Sequence, residues 1–201
     1  MFEKLIIAVC ATALLIGSSL SANAAQGYYD PETRMFVEVK RATISRSRKV
    51  KARFVRKEVS YKTNHKIGTI IVDRDDYYLY LVTAKGKAMR YGVGLGREGF
   101  GWGGEVKIRR KAEWPGWTPP AAMRKRQPEL PRFMKGGKDN PLGARALYLY
   151  KGGRDTLYRI HGTNAPWTIG SNVSSGCIRL VNEDVIDLYN RVKMGVKVIV
   201  L

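Results

Sequence analysis

The sequence predicts a mainly β domain closed by one C-terminal helix. Short runs of β-branched and aromatic residues recur from Thr69 onward, separated by glycine-rich or proline-rich joints. Helical spacing of apolar residues is convincing in one stretch only, near the C-terminus. At 201 residues and 44% hydrophobic content, the chain has room for one packed core with tails, not for two.

The strands come in order. Residues 69–73 and 77–82 precede the Lys85-Gly86-Lys87 turn, and residues 88–93 return as the second arm of a hairpin. Further strands are expected at residues 105–108, 146–150, 158–160 and 196–201. The helix begins near Asn182 as a cap, places Val185, Ile186, Leu188, Tyr189 and Val192 on one face, and ends at Met194-Gly195. Residues 109–143 read as a long loop. It carries Trp114-Pro115-Gly116-Trp117-Thr118-Pro119-Pro120 and the basic run Arg124-Lys125-Arg126, and such length suggests a lid or substrate-binding loop.

The N-terminus has the form of a secretory signal peptide over residues 1–24. A short basic start at Lys4 leads into an apolar stretch over residues 5–16, then Gly17-Ser18-Ser19 and the small-residue site Ala22-Asn23-Ala24. The apolar stretch is shorter than the roughly 20 residues that a spanning helix needs. Cys10 sits inside it behind the bulky Val9, as filler and not as a lipidation site. Cleavage removes one acid, Glu3, and one base, Lys4, so the exported chain keeps the formal charge of +19. Cys177 is then its sole cysteine. In an oxidising compartment a thiol without an intrachain partner is either an intermolecular bridge or a reactive group.

Residues 25–66 read as an extended basic arm, because residues 40–66 hold eleven Lys or Arg against one acid, Glu58. Such a run serves as a solvated tether or adheres to an anionic surface. Export removes nucleic acid from the partners that this charge suggests and leaves the polyanionic envelope, its wall carboxylates and anionic lipids.

The chemistry concentrates in Arg159-Ile160-His161-Gly162-Thr163 and Ser174-Ser175-Gly176-Cys177-Ile178-Arg179. The chain has two histidines, and His65 lies in the arm, so His161 is the one that the β domain holds rigidly. A cysteine reacts as its thiolate, and an imidazolium beside it favours the anion, so Cys177 and His161 are expected to form an ion pair with a depressed thiol pKa. The bland alternatives are a core histidine and a buried cysteine acting as a small hydrophobe. Gly176 lets backbone amides turn inward, which suits an oxyanion hole from Gly176 and Cys177.

These segments resemble the L,D-transpeptidase catalytic domain (YkuD), whose members carry His-Gly-Thr followed by Ser-x-Gly-Cys-Ile-Arg. The resemblance covers residues 69–201, including Asn140-Pro141-Leu142-Gly143 and the Trp117 loop, so residues 67–201 are assigned to the catalytic domain. It implies a β-sandwich or barrel with a C-terminal helix and a long loop over the active site, working without metal or cofactor. It further implies that Cys177 attacks the bond between diaminopimelate and D-alanine in a peptidoglycan stem and passes the acyl group to an amine. That amine belongs to another stem, an envelope protein or a D-amino acid; water would give a carboxypeptidase. By the same resemblance, the Gly162 carbonyl orients His161, and Trp117 and Arg179 contact substrate. Arg179 has a structural alternative, an ion pair with Glu183 or Asp184. Ser175 stands where many members have a second histidine, which removes any additional proton shuttle there. The implied location is the periplasm, against the wall.

Overall fold

The structure is a computed structural model that describes residues 27–30, 35–38, 50–97 and 102–201. The signal-peptide segment lies outside the described residues, as does most of the basic stretch up to Lys49.

Thirteen strands are described: β1 (Gly27–Asp30), β2 (Met35–Glu38), β3 (Lys57–Ser60), β4 (Ile70–Asp73), β5 (Tyr78–Ala84), β6 (Lys87–Gly92), β7 (Leu95–Gly96), β8 (Gly104–Glu113), β9 (Arg145–Lys151), β10 (Arg154–His161), β11 (Asn172–Ser174), β12 (Ile178–Arg179) and β13 (Lys197–Val200). Two α-helices accompany them, α1 (Ala121–Arg126) and α2 (Asn182–Arg191). The fold is mainly β. Nine strands form one mixed sheet in the order β12-β10-β9-β8-β13-β4-β5-β6-β3, while β1 pairs with β2 and β11 with β7.

The last strand ties the sheet together. β13 runs parallel to β4 and antiparallel to β8, which joins the hairpin strands on one side to β8, β9, β10 and β12 on the other. Alternation in β13 sends Val198 and Val200 into the core, where Ile70, Leu79, Ile108, Leu147, Leu149 and Ile160 are also buried. α2 packs against β9 through Val185 and Leu188, and Val192 continues that face beyond the helix.

Three expectations change. β8 continues to Glu113 instead of ending at Ile108, since its charged residues serve the sheet and its neighbours. Lys111 Nζ donates to the carbonyls of Tyr189 (2.6 Å) and Val192 (2.8 Å), satisfying acceptors that the end of α2 leaves open. Within the segment read as loop, α1 forms directly after Pro120. Asn182 does not cap α2, because Val181 occupies that position. The Asn182 Oδ1 instead accepts from the amides of Ala144 (2.9 Å) and Thr163 (3.2 Å), joining three segments of chain.

The folded domain also begins before Ile67. A 3₁₀ turn at Ala52–Phe54 buries Phe54 to 1% exposure, against Gly92 and Gly170, where a side chain would collide with it. β3 then pairs with β6 as the edge of the large sheet, its residues largely exposed and charged, as protected edges are. Arg56 bridges to Asp187 (3.2 Å) and Asp184 (3.6 Å) on α2. The density of basic residues around Phe54 concealed this turn and strand. Among the described residues no helix is long and apolar enough to cross a membrane.

Truncating the chain to start at Ile67 is therefore expected to destabilise the domain, because it removes Phe54, Arg56 and the edge strand. Phe54→Ala alone should cost about 3–5 kcal/mol in chemical denaturation. Unchanged stability of both proteins would return residues 50–66 to the status of a tether.

Candidate active site

The site is built on the one parallel contact at the far edge of the sheet. β10 and β12 pair as Ile160 with Ile178 and His161 with Arg179, so the residue before β12, Cys177, comes alongside Arg159. Ile160 and Ile178 are buried in the core. By the strand's two-residue period, His161, Cys177 and Arg179 project from the opposite face, and all three line one cavity of about 370 Å³.

His161 is 3% exposed, and its Nδ1 lies 2.6 Å from the Gly162 carbonyl oxygen. A carbonyl only accepts, so this contact places the ring proton on Nδ1 and leaves the Nε2 lone pair for proton transfer. Burial, with the charge of Arg179 next in weight, pulls the imidazolium pKa down to about 3, against the stabilising Gly162 contact. Burial pushes the Cys177 thiol up, opposed by a hydrogen bond from the Arg159 backbone and by the charges of Arg179 and Arg159. Burial thus works against charge on either group and so against the expected ion pair in the resting site.

The turn that presents Cys177 is held from both sides. Gly176 adopts φ 106°, which only glycine takes without strain. The Ser174 hydroxyl donates to the Cys177 carbonyl (2.6 Å) and accepts from the Gly176 amide (3.2 Å). Trp102 Nε1 donates to the Gly176 carbonyl (2.8 Å), and its ring stacks on Tyr158 at 4.8 Å. Since the Gly176 amide already has an acceptor, the oxyanion set that the sequence suggested shifts toward the Cys177 amide. The Ser175 hydroxyl is the second candidate: it lines the cavity, is buried, and has no hydrogen-bond partner among the described residues.

Gly162 has its own steric reason. A Cβ there would run into Asn182 Oδ1, and one at Gly143 would meet the same atom. The close approach of Gly143, Gly162 and Asn182 holds the carbonyl that orients His161.

The roof is the segment between β8 and β9. Trp117 and Met134 exchange backbone hydrogen bonds (2.7 and 2.8 Å). Asn140, 1% exposed, donates from Nδ2 to the carbonyls of Pro115, Met134 and Lys135 and accepts from the Leu142 amide. Trp117, Met123 and Leu142 face the cavity, so the long loop covers the site as expected. On the opposite wall, a register shift between Asp155 and Arg159 puts Leu157 at φ 61° and turns Leu157 and Tyr158 toward the cavity. Arg159 itself is engaged by Asp155 at 2.7 and 2.9 Å.

Of the residues named from sequence, Cys177, His161, Ser175, Arg179 and Trp117 line the cavity, while Gly162 and Gly176 hold its backbone. Asp184, one of the alternative partners for Arg179, pairs with Arg56. Sequence reasoning missed Ser174, Trp102 and Asn182. Ser174 stood in the quoted motif, and Trp102 in a glycine-rich turn was a visible signal; Asn182 was misread as a cap. Among the described residues no group of three or more His, Cys, Asp or Glu side chains could hold a metal.

A buried histidine on one strand and a cysteine just before its neighbour, under a roof of loop, are the groups that a thiol acyl-transfer site needs. The family model of the L,D-transpeptidase catalytic domain (YkuD) matches residues 67–200, and the chain belongs to that family. It is 47% identical over 95 residues to the probable L,D-transpeptidase ErfK/SrfK of Escherichia coli K12, covering 45% of this chain and 29% of that protein. It is 43% identical over 114 residues to the probable L,D-transpeptidase YbiS of the same organism, covering 53% and 35%. The alignments thus span about a third of these longer relatives. A crystal structure from Brucella melitensis, that of a probable carnitine operon oxidoreductase, shares 45% identity and a TM-score of 0.52 over 76% of this chain and 96% of that one.

Two outcomes follow from burial around the pair and a braced turn. Iodoacetamide labelling of Cys177 should stay slow at neutral pH and rise only at or above the ordinary thiol value of about 8.5, and His161→Ala should not move that rise upward. A labelling plateau near pH 6 that His161→Ala abolishes would reinstate the ion pair. Ser174→Ala should keep the fold, by circular dichroism, and slow acylation of Cys177 on the order of tenfold; an unchanged rate would make Ser174 a bystander.

Proposed function

We propose that this chain is an exported cysteine transpeptidase that cleaves the diaminopimelate–D-alanine bond of a peptidoglycan tetrapeptide stem and transfers the acyl group to an amine. The observation that carries this reading is the shared face of His161 and Cys177, with Nδ1 committed to the Gly162 carbonyl and Nε2 free. Family membership and relatives named L,D-transpeptidase support the substrate class.

The reaction begins from a neutral pair, which burial favours. As Sγ of Cys177 attacks the stem carbonyl carbon, Nε2 of His161 takes the thiol proton, and the carbonyl oxygen becomes an oxyanion facing the Cys177 amide and the Ser175 hydroxyl. Collapse breaks the C–N bond, the imidazolium protonates the departing D-alanine amine, and a thioester remains on Cys177. An acceptor amine then attacks the thioester and loses a proton to His161. The thiol leaves protonated. The nearby Arg179 charge stabilises the oxyanion in both steps and lowers the cost of separating charge in a buried site.

The acceptor is an amine of a second stem, an envelope protein or a D-amino acid, and water gives the carboxypeptidase side reaction. Residues 1–24 act as the export signal and the basic residues that follow hold the enzyme to the anionic wall in the periplasm. The charge of +19 suits a substrate rich in carboxylates.

Incubation of the mature protein with tetrapeptide stems and an amine acceptor, read by mass spectrometry, should show loss of D-alanine and gain of acceptor. Cys177→Ala should reduce both to background while keeping the fold. Normal turnover by the variant would end the assignment, and release of D-alanine without acceptor product at high amine concentration would make the enzyme a hydrolase.

A further inference from the structure

Arg126 ends α1 in the roof segment, and its side chain lines the cavity that holds Cys177. Among the described residues it makes no ion pair and no side-chain hydrogen bond. Among the described residues no carboxylate lines the cavity, and the permanently charged side chains that do are Arg126 and Arg179. Arg126 is exposed, and the roof also contributes apolar groups to the cavity, Pro120, Ala122, Met123 and Leu142. A cleft lined by one sign of charge concentrates ligands of the other, and apolar walls strengthen each charged contact inside it.

The two arginines occupy different places. Arg179 is carried by β12 beside the reacting pair, and its charge acts on both His161 and Cys177. The other guanidinium that acts on them, Arg159, is already bound to Asp155. Arg126 stands on the roof, on a different element from the reacting groups, and offers a second place for an anion in the same cavity. The planar guanidinium fork matches a carboxylate through two parallel hydrogen bonds, which a point charge does not.

We propose that Arg126 is a specificity-determining residue that binds a carboxylate of the stem peptide remote from the bond being cleaved, an inference that rests on the transpeptidase reading. The stem offers this group on its glutamate and on its diaminopimelate residue. A merely structural role for Arg126, offsetting the dipole at the end of α1 together with Arg124 and Lys125, gives no discrimination between acidic and amidated substrates.

The test compares the wild type, Arg126→Gln and Arg126→Lys on three soluble stems: the acidic tetrapeptide, one amidated at glutamate, and one amidated at diaminopimelate. Alkylation of Cys177 by uncharged iodoacetamide serves as the readout of an intact site. Arg126→Gln should raise KM for the acidic stem on the order of tenfold, the worth of one charge-assisted contact, with kcat and alkylation nearly unchanged. Arg126→Lys should restore part of the loss. One amidated stem should show the raised KM already with the wild type and no further rise with Arg126→Gln, which identifies the carboxylate. Equal losses on all three stems, or none on any, overturn the inference while wild-type turnover leaves the transpeptidase reading standing. Absence of wild-type turnover on every stem removes both.

Discussion

The site depends on a parallel pairing two residues long. Because Ile160 and Ile178 fill the core on one side of the β10–β12 contact, the residues flanking them must face the other way, into the cavity. A slip of one residue would bury His161 and Cys177 in the core and expose the isoleucines. The cost of burying those polar groups unpaired, added to the lost apolar burial, holds the register. The edge is secured further by the antiparallel bridge between Gly94 and Arg179, with backbone hydrogen bonds of 2.8 and 2.9 Å.

Around this pairing the structure spends backbone, not side-chain carboxylates, on orientation. The Gly162 carbonyl fixes the imidazole, the Ser174 hydroxyl closes the cysteine turn, and Trp102 holds the Gly176 carbonyl from outside. Among the described residues no carboxylate acts on His161, and burial together with the positive charges of Arg179 and Arg159 pulls its pKa down. Burial works against charge at the two groups, and the charges acting on them are positive. In the proposed reaction this arrangement favours the moment when negative charge moves from sulfur to the substrate oxygen over the thiolate itself.

The mainly β character, seven of the strands and the single substantial helix were legible, because alternation of β-branched residues and helical spacing are local properties of the chain. The elements that escaped were those where charge hides structure. Lys111 sits in a strand because its amine reaches the end of α2, and Phe54 is buried between glycines that are distant in sequence. Asn182 looked like a cap from its neighbours and serves instead as a junction between Ala144 and Thr163. Each of these depends on partners tens of residues away.

The candidate pair was legible in the sequence alone: one cysteine past the segment read as a signal, one histidine in the β domain, and the Gly, Ser and Arg residues that frame them. The surroundings that weigh on its protonation were decided only by the tertiary structure. An exposed cysteine and histidine would readily share a proton as an ion pair, and nothing in their spacing says otherwise. Burial between the strands and the roof works against either charge, and Arg179 on the same face opposes the imidazolium. The same enclosure decided which cations face substrate, since Arg159 and Arg126 look alike in sequence but Asp155 holds the first, whereas no described residue pairs with the second.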